Sequence, residues 1–208
     1  DIENAHNFSN EMAGNFWNTT QELKAKVSPD KKWGDIAYYA SNGNWAIPTA
    51  DDFNKLFIKT AEYIAYYKDD SGNIIYGAYF DPTVPDNLKG WIVDANRGKI
   101  RKINQSAGPI SRANLYRELK IADFDTGVCF PMAGSFEYSG EMEKPGSLGG
   151  YWLATANSGN AAQAAAFFIS VHQNGQAFAG YTKSSITPKR NMYSIRPIFI
   201  GEQQKYKK

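Results

Sequence analysis

Short apolar runs alternate along this chain with breaks rich in glycine and asparagine, and the spacing inside the runs predicts one clear helix and several strands. From Trp45 the sequence reads Trp-Ala-Ile-Pro-Thr-Ala-Asp-Asp-Phe. Pro48 holds the chain extended and Thr49 is placed to cap a helix. Asp52, three residues on, completes a capping box with Asp in the usual Glu position. Asp51 and Asp52 also sit at the positive end of the helix dipole. Phe53, Leu56, Phe57, Ala61 and Ile64 recur at helical spacing, which predicts a helix of about four to five turns ending near Tyr67.

Around that helix the pattern is shorter-ranged. Residues 20–27 read as a short helix, 35–40 as a short strand or turn, and 113–119 as a second short helix. Residues 74–80, Trp91–Val93 and Val128–Pro131 read as strands, and 132–149 as a loop punctuated by glycine. The strongest strand signals are 165–172 and 193–200. In the first, Ala165, Phe167, Ile169 and Val171 face one side, and Ala166, Phe168, Ser170 and His172 the other. Asn174-Gly175 predicts a hairpin returning through residues 176–179. No linker or tandem repeat interrupts the chain. It is read as one domain over 1–208, with an N-terminal extension at 1–32, a core at 33–200 and a polar tail at 201–208.

Composition narrows the function classes. The 208 residues are 42% apolar and 21% charged, which suits a globular chain with a real core. A formal charge of +2 is too small to point to nucleic acid. The basic run Lys99-Ile100-Arg101-Lys102 is read as a solvated turn. No apolar run approaches the roughly 20 residues of a membrane span. With 13 Tyr, 12 Phe and 5 Trp beside many Asn and Gly, the mix suits a loop-rich extracellular domain that binds through aromatic rings and amides.

Catalytic chemistry finds little to stand on. Cys129 is the single cysteine, so no intrachain disulfide is possible, and its apolar neighbours predict a buried, inert thiol. His6 and His172 are the two histidines and read as surface residues. No His/Cys/Asp cluster has metal-site spacing, and residues 69–73 lack the ligand spacing of an EF-hand. Gly146-Ser147-Leu148-Gly149-Gly150 misses the nucleophile-elbow pattern, and no phosphate-binding glycine loop is present. Asp123 and Asp125 are read as structural rather than as an acid/base pair. No catalytic residue, metal or cofactor is expected.

Four blocks in order carry a resemblance. They are Trp45-Ala46-Ile47-Pro48-Thr49, Phe130-Pro131-Met132-Ala133-Gly134, Gly150-Tyr151-Trp152-Leu153-Ala154-Thr155 and Tyr193-Ser194-Ile195-Arg196-Pro197-Ile198. Together they resemble the Fibrobacter succinogenes major paralogous domain family and its relatives in gut Bacteroidetes. That family is similar to C-type-lectin-like folds. The resemblance implies an α+β domain with a long first helix, a small twisted antiparallel sheet, a long loop region and termini that lie near each other. It also implies secretion to the surface of a Gram-negative bacterium, outside the cell or on its outer membrane.

The chain departs from the pattern in telling ways. Ala46 stands where the family usually has Arg, and residues 161–166 are unusually rich in alanine. The Glu-Pro-Asn, Gln-Pro-Asp and Trp-Asn-Asp triplets of calcium-dependent sugar lectins are missing, so calcium-dependent sugar binding is not carried over. The catalytic cysteines of the related formylglycine-generating enzymes have no counterpart either.

These readings converge on a non-catalytic cell-surface module for adhesion or ligand binding, with a glycan or protein as partner. Ligands of such relatives meet the loops between the third and fourth blocks. By order along the chain the candidate contacts are Asn157, Asn160, Gln163, His172, Asn174, Gln176, Tyr181 and Lys183. Alternatives are a pilus-tip or envelope subunit in contact with other fimbrial components, and an enzyme of the formylglycine-generating type.

Overall fold

The capping box forms as the sequence predicts. In the computed structural model, which describes residues 35–103, 110–111, 116–136, 142–143, 146–160, 162–171, 176–188, 191 and 193–201, Thr49 is the N-cap of a ten-residue helix at Ala50–Lys59. The Asp52 N–H donates to Thr49 Oγ1 at 3.2 Å, and the Thr49 N–H donates to Asp52 Oδ2 at 2.9 Å. The helix is preceded by a shorter one, α1 (Ile36–Ala40), so it is α2. Residues 36–40 are therefore helical, not a strand or turn. The buried Asp35 carboxylate accepts the N–H groups of Ala37 and Tyr38, which caps α1, and also that of Ile47 at 2.6 Å.

Helix α2 stops well short of Tyr67. Thr60 is extended, at φ −133° and ψ 164°, and its hydroxyl donates to the Leu56 carbonyl. Ala61 and Ile64 then belong to a strand, Ala61–Lys68. Their helical spacing misleads because this strand is buried on both faces over its first five residues, and a doubly buried strand shows no period-two alternation.

The strands, in chain order, are β1 (Trp45–Ala46), β2 (Ala61–Lys68), β3 (Ile74–Asp81), β4 (Trp91–Val93), β5 (Lys99–Lys102), β6 (Ile110–Ser111), β7 (Arg117–Glu118) and β8 (Val128–Pro131). They continue as β9 (Ser135–Phe136), β10 (Met142–Glu143), β11 (Leu148–Ala156), β12 (Gln163–Val171), β13 (Gln176–Pro188) and β14 (Ile198–Phe199). One sheet runs in the order β5-β4-β2-β3-β8, with β7 also paired to β2. A second runs β11-β12-β13-β6, and β1-β14 and β9-β10 form two-stranded pairs.

The α+β class holds. The first sheet is mixed, however, because β2 runs parallel to β4 and β7. Arg117 and Glu118 are strand rather than helix, and the basic run 99–102 is an edge strand rather than a turn. The 193–200 strand is shorter than expected. Its regular part is β14, which pairs with β1 in the Trp45↔Phe199 register; the chain's own termini lie outside the described residues. The segment 20–27 lies outside the described residues.

The first sheet is buried on both sides. Against one face pack α2 and the strands β11 and β12, through Phe53, Phe57, Phe80, Phe130, Tyr151, Leu153 and Phe167. Phe167 lies 5.0 Å from Phe53 and 5.5 Å from Phe130, centroid to centroid. Against the other face pack the connections 82–90 and 116–127, around Tyr63, Tyr79, Val93, Leu119 and Cys129.

Candidate functional site

The four sequence blocks meet in space. The Ala154 N–H donates to the Pro48 carbonyl at 2.8 Å, and the first free N–H of α2, on Ala50, donates to Thr155 Oγ1 at 2.9 Å. The first and third blocks thus cap the same helix end, where four N–H groups otherwise lack partners. The Tyr151 hydroxyl donates to the Pro131 carbonyl, joining the third block to the second. The fourth block docks by a bridge between Tyr151 and Ser194, in which the Trp152 N–H donates to Ser194 O and the Ser194 N–H to Gly150 O. The Arg196 guanidinium lies 5.8 Å from the Phe130 ring centroid.

Glycine is required at this junction. A Cβ on Gly150 would stand 2.6 Å from the Tyr193 ring, and one on Gly149 2.8 Å from the Pro131 carbonyl oxygen. The space is taken by an aromatic stack in which Tyr193 lies 4.9 Å from Trp152 and 5.1 Å from Phe168. The chain between Ala156 and Asn191 therefore leaves this joint and returns to it, and on the way β12 passes back through the core. It is an excursion clamped at its base.

Of the candidate contacts on that excursion, Asn157, Asn160 and Gln163 share the turn between β11 and β12. Their amides largely serve the turn itself. Asn157 Nδ2 donates to Gln163 Oε1 at 3.0 Å, and Asn157 Oδ1 accepts the Gly159 N–H at 3.0 Å. Asn160 Oδ1 accepts the Ala162 N–H at 2.9 Å. Such Asx bonds fix a turn's shape.

Gln176, Tyr181 and Lys183 lie on β13, with Gln176 in register with Ser111 and Tyr181 with Phe167. Gln163 is in register with Pro188 at one end of the β12–β13 pair, and Gln176 starts β13 at the other end. The six described candidates therefore do not gather at one point: one group occupies the β11–β12 turn and another follows β13. His172 and Asn174 lie outside the described residues. On either side of them, β12 and β13 pair antiparallel, with Val171 opposite Ala177.

The titratable groups explain much of the internal architecture. Cys129 is buried, and burial pushes its thiol up to about 11, with Arg196 acting the other way. A group so protonated is a poor nucleophile. Asp123 is bound to Arg117 Nη2, and its Oδ2 accepts the Lys120 N–H at 2.7 Å. Arg117 also pairs with Asp81 at 2.8 Å and lies over the rings of Tyr63 and Tyr79. Asp123 is thus the anchor of a structural cage, as its sequence setting suggests.

Glu62 is the unforeseen group. It is 1% exposed, on the aromatic face of the first sheet, and its Oε1 accepts no hydrogen bond among the described residues. Burial raises its pKa to about 8 against the pull of Arg101, which shares the Glu62↔Ile92↔Arg101 register row. Nothing in its local sequence separates it from a surface glutamate. Its isolation follows from pairing on both sides of β2.

Among the described residues no group of three or more His, Cys, Asp or Glu is placed to hold a metal ion, and no helix is long and apolar enough to cross a membrane. No family model matches the chain, and no curated protein or solved structure matches it either.

Proposed function

We propose that this chain is a non-catalytic recognition module of the C-type-lectin-like kind, belonging with the Fibrobacter paralogous domains, that works at a bacterial cell surface. Its ligand is a glycan or protein, met by the C-terminal excursion. The observation that carries the reading is the clamp at the base of that excursion. Ser194 and Gly150–Trp152 close it by backbone bonds, and Tyr193 stacks over the junction. A clamped base and a buried core strand, β12, let the polar segments on either side of that strand vary without loss of fold, which is what recognition on a rigid scaffold needs. The convergence of the four blocks supports the family assignment, because residues scattered over the sequence make one joint. The buried, protonated Cys129 argues against a sulfur-based enzyme of the formylglycine-generating type.

Within the excursion, β13 is the better candidate for contact. The Asn157, Asn160 and Gln163 amides already serve their turn, whereas Gln176, Tyr181 and Lys183 lie along β13. Probing the intact chain on glycan and surface-protein arrays tests this. The expected result is a hit whose binding is lost in a Gln176→Ala/Tyr181→Ala/Lys183→Ala variant and kept in Asn160→Ala. No hit, or a hit indifferent to the triple substitution, overturns it.

One observation favours a second reading, a subunit of a pilus tip or envelope assembly. Trp45, Phe199 and Ile200 are 42%, 43% and 45% exposed beside the short β1–β14 pair. Exposed apolar groups gathered in this way are common at protein contacts. Surface cross-linking that recovers no partner, with a strictly monomeric chain in solution, would remove this reading.

A further inference from the structure

The β4–β5 hairpin presents a second surface, on the other sheet and away from the excursion. β5 is the edge strand of its sheet, and Trp91 and Val93 stand opposite Lys102 and Lys99 in the antiparallel register. Residues directly opposite share a face, so both lysines emerge on the side of Trp91, which packs on the second core cluster. Lys99 Nζ lies 4.8 Å from the centroid of the half-buried Trp91 ring, and Lys102 Nζ lies 5.7 Å from it. Neither ammonium is in an ion pair with a carboxylate among the described residues.

The hairpin is held rigidly. Asp94 Oδ1 accepts the N–H groups of Asn96 at 2.8 Å and Gly98 at 2.7 Å, and the Asp94 N–H donates to the Gly98 carbonyl. Arg97 is held at φ +66° in this turn. At the other end the Gly90 N–H donates to Thr60 O, and the Ile103 N–H to Gly90 O. Asp94 therefore spends its carboxylate on the turn, and the surface beside Trp91 is dominated by cations.

Lysines on an edge strand guard against strand-to-strand aggregation, and that role needs only charge. It gives no reason for two ammoniums to converge on one indole, where like charges are brought together. An anion would relieve that repulsion and draw both ammoniums off the ring, leaving the indole open for an apolar partner surface. Pyranose sugars bearing an acid group offer both features in one molecule. We propose that Trp91, Lys99 and Lys102 form a binding site for an anionic saccharide, a sugar carrying carboxylate or sulfate. The C–H face of the ring lies on the indole, and the acid group accepts hydrogen bonds from the two ammoniums. This site does not depend on recognition by β13, so either reading can fail without the other.

Calorimetric titration of the intact chain tests it. The probes are a heparin-derived sulfated tetrasaccharide and a tetramer of galacturonic acid, with neutral cellotetraose and inorganic sulfate as controls. At least one acidic probe is expected to bind, with affinity that falls as salt screens the exposed charges. Cellotetraose and sulfate should each bind at least about tenfold more weakly, because each offers half of the contact. Lys99→Gln/Lys102→Gln should also weaken the acidic probe by about tenfold or more. This pair is exposed and leaves the core intact, whereas Trp91→Ala removes a packed ring and needs its melting temperature checked beside it. Three outcomes overturn the proposal. Neither acidic probe binds; inorganic sulfate binds as well as the saccharides; or the double lysine variant binds like the parent chain.

Discussion

The two faces of the first sheet are held by different physics. On the face toward α2 and β12, six rings from five elements, Phe53 and Phe57, Phe80, Phe130, Tyr151 and Phe167, touch each other with centroids 5.0 to 6.4 Å apart. On the opposite face, Tyr63 and Tyr79 also lie side by side, but a guanidinium covers both rings and is tied to two carboxylates. The aromatic face buries a carboxylate, Glu62, in one register row with Arg101. At the centre of the polar face Arg117 pairs with both Asp81 and Asp123. The first face resists loss of volume, and the second resists loss of charge balance.

Truncating the ring at the centre of the aromatic face should have the largest effect. Phe167 is 1% exposed and touches rings from α2, β3, β8 and β11. Phe167→Ala is expected to cost about 3–5 kcal/mol, the usual range for removing a buried ring. Urea unfolding followed by fluorescence reads it directly. A loss near 1 kcal/mol would mean that the face collapses around the gap and is less tightly packed than its ring geometry implies.

Glu62 sharpens the contrast because it should act in the opposite direction. Its folded pKa lies near 8, above the ordinary 4.5, so the folded state holds a proton that the unfolded chain releases. Stability is therefore fullest below about pH 4.5 and is lost as the pH climbs toward 8. Glu62→Gln removes this loss while keeping the shape of the side chain. It is expected to stabilise the protein on the order of 3 kcal/mol at pH 8 and to change little at pH 4. Melting temperatures at the two pH values decide the matter. Equal shifts at both would show that Glu62 is ionised in the folded protein and held by Arg101.

On the polar face the sign reverses. Burial opposes ionisation of Asp81, yet the bonds from Thr83 and Arg117 outweigh it, and its pKa falls below the ordinary carboxylate value. The stability this contributes is present above the ordinary Asp pKa and is lost as pH falls through the folded one. Arg117→Met strips Asp81 and Asp123 of their shared cation. Its side chain is 24% exposed, which discounts the cost of breaking a fully buried pair to about 2 kcal/mol. The deficit should be full at pH 7 and shrink below pH 4. A deficit that does not change with pH would mean that packing on Tyr63 and Tyr79, rather than charge, is what Arg117 supplies.

What could be read from the sequence divides along similar lines. The start of α2 was legible because a capping box is local: Thr49 and Asp52 name the helix start with no help from the rest of the fold. The core strands around Phe80, Phe130 and Phe167 were legible because they are apolar and short. The end of α2 was not, because Ala61 and Ile64 fit a helical period and a doubly buried strand equally well, and only pairing with β3 and β4 decides between them. The same holds for α1, whose capping Asp35 bonds across to Ile47, and for Arg117, which reads as helix until it pairs with β2. At the candidate site, order along the chain located the excursion. It did not reveal that Asn157 and Gln163 satisfy each other, or that Lys99 and Lys102 stand over one indole. Both facts depend on register, and register is a property of paired strands.

The smallest expected effect tests the joint between the blocks. Thr49 Oγ1 caps α2 from one side while Thr155 Oγ1 caps it from β11. Thr49→Ala should cost about 1 kcal/mol, the usual loss for a removed N-cap hydroxyl. Thr155→Ala removes a bond between distant elements and should cost a similar amount. The two hydroxyls serve neighbouring N–H groups of one helix end, so the double variant reports on their coupling. If the joint is a rigid unit, the double loss falls short of the sum, because the first substitution already frees the helix end from its clamp. Strict additivity in chemical denaturation would mean that each hydroxyl acts alone, and that the base of the excursion is held by Ser194 and Tyr193 instead.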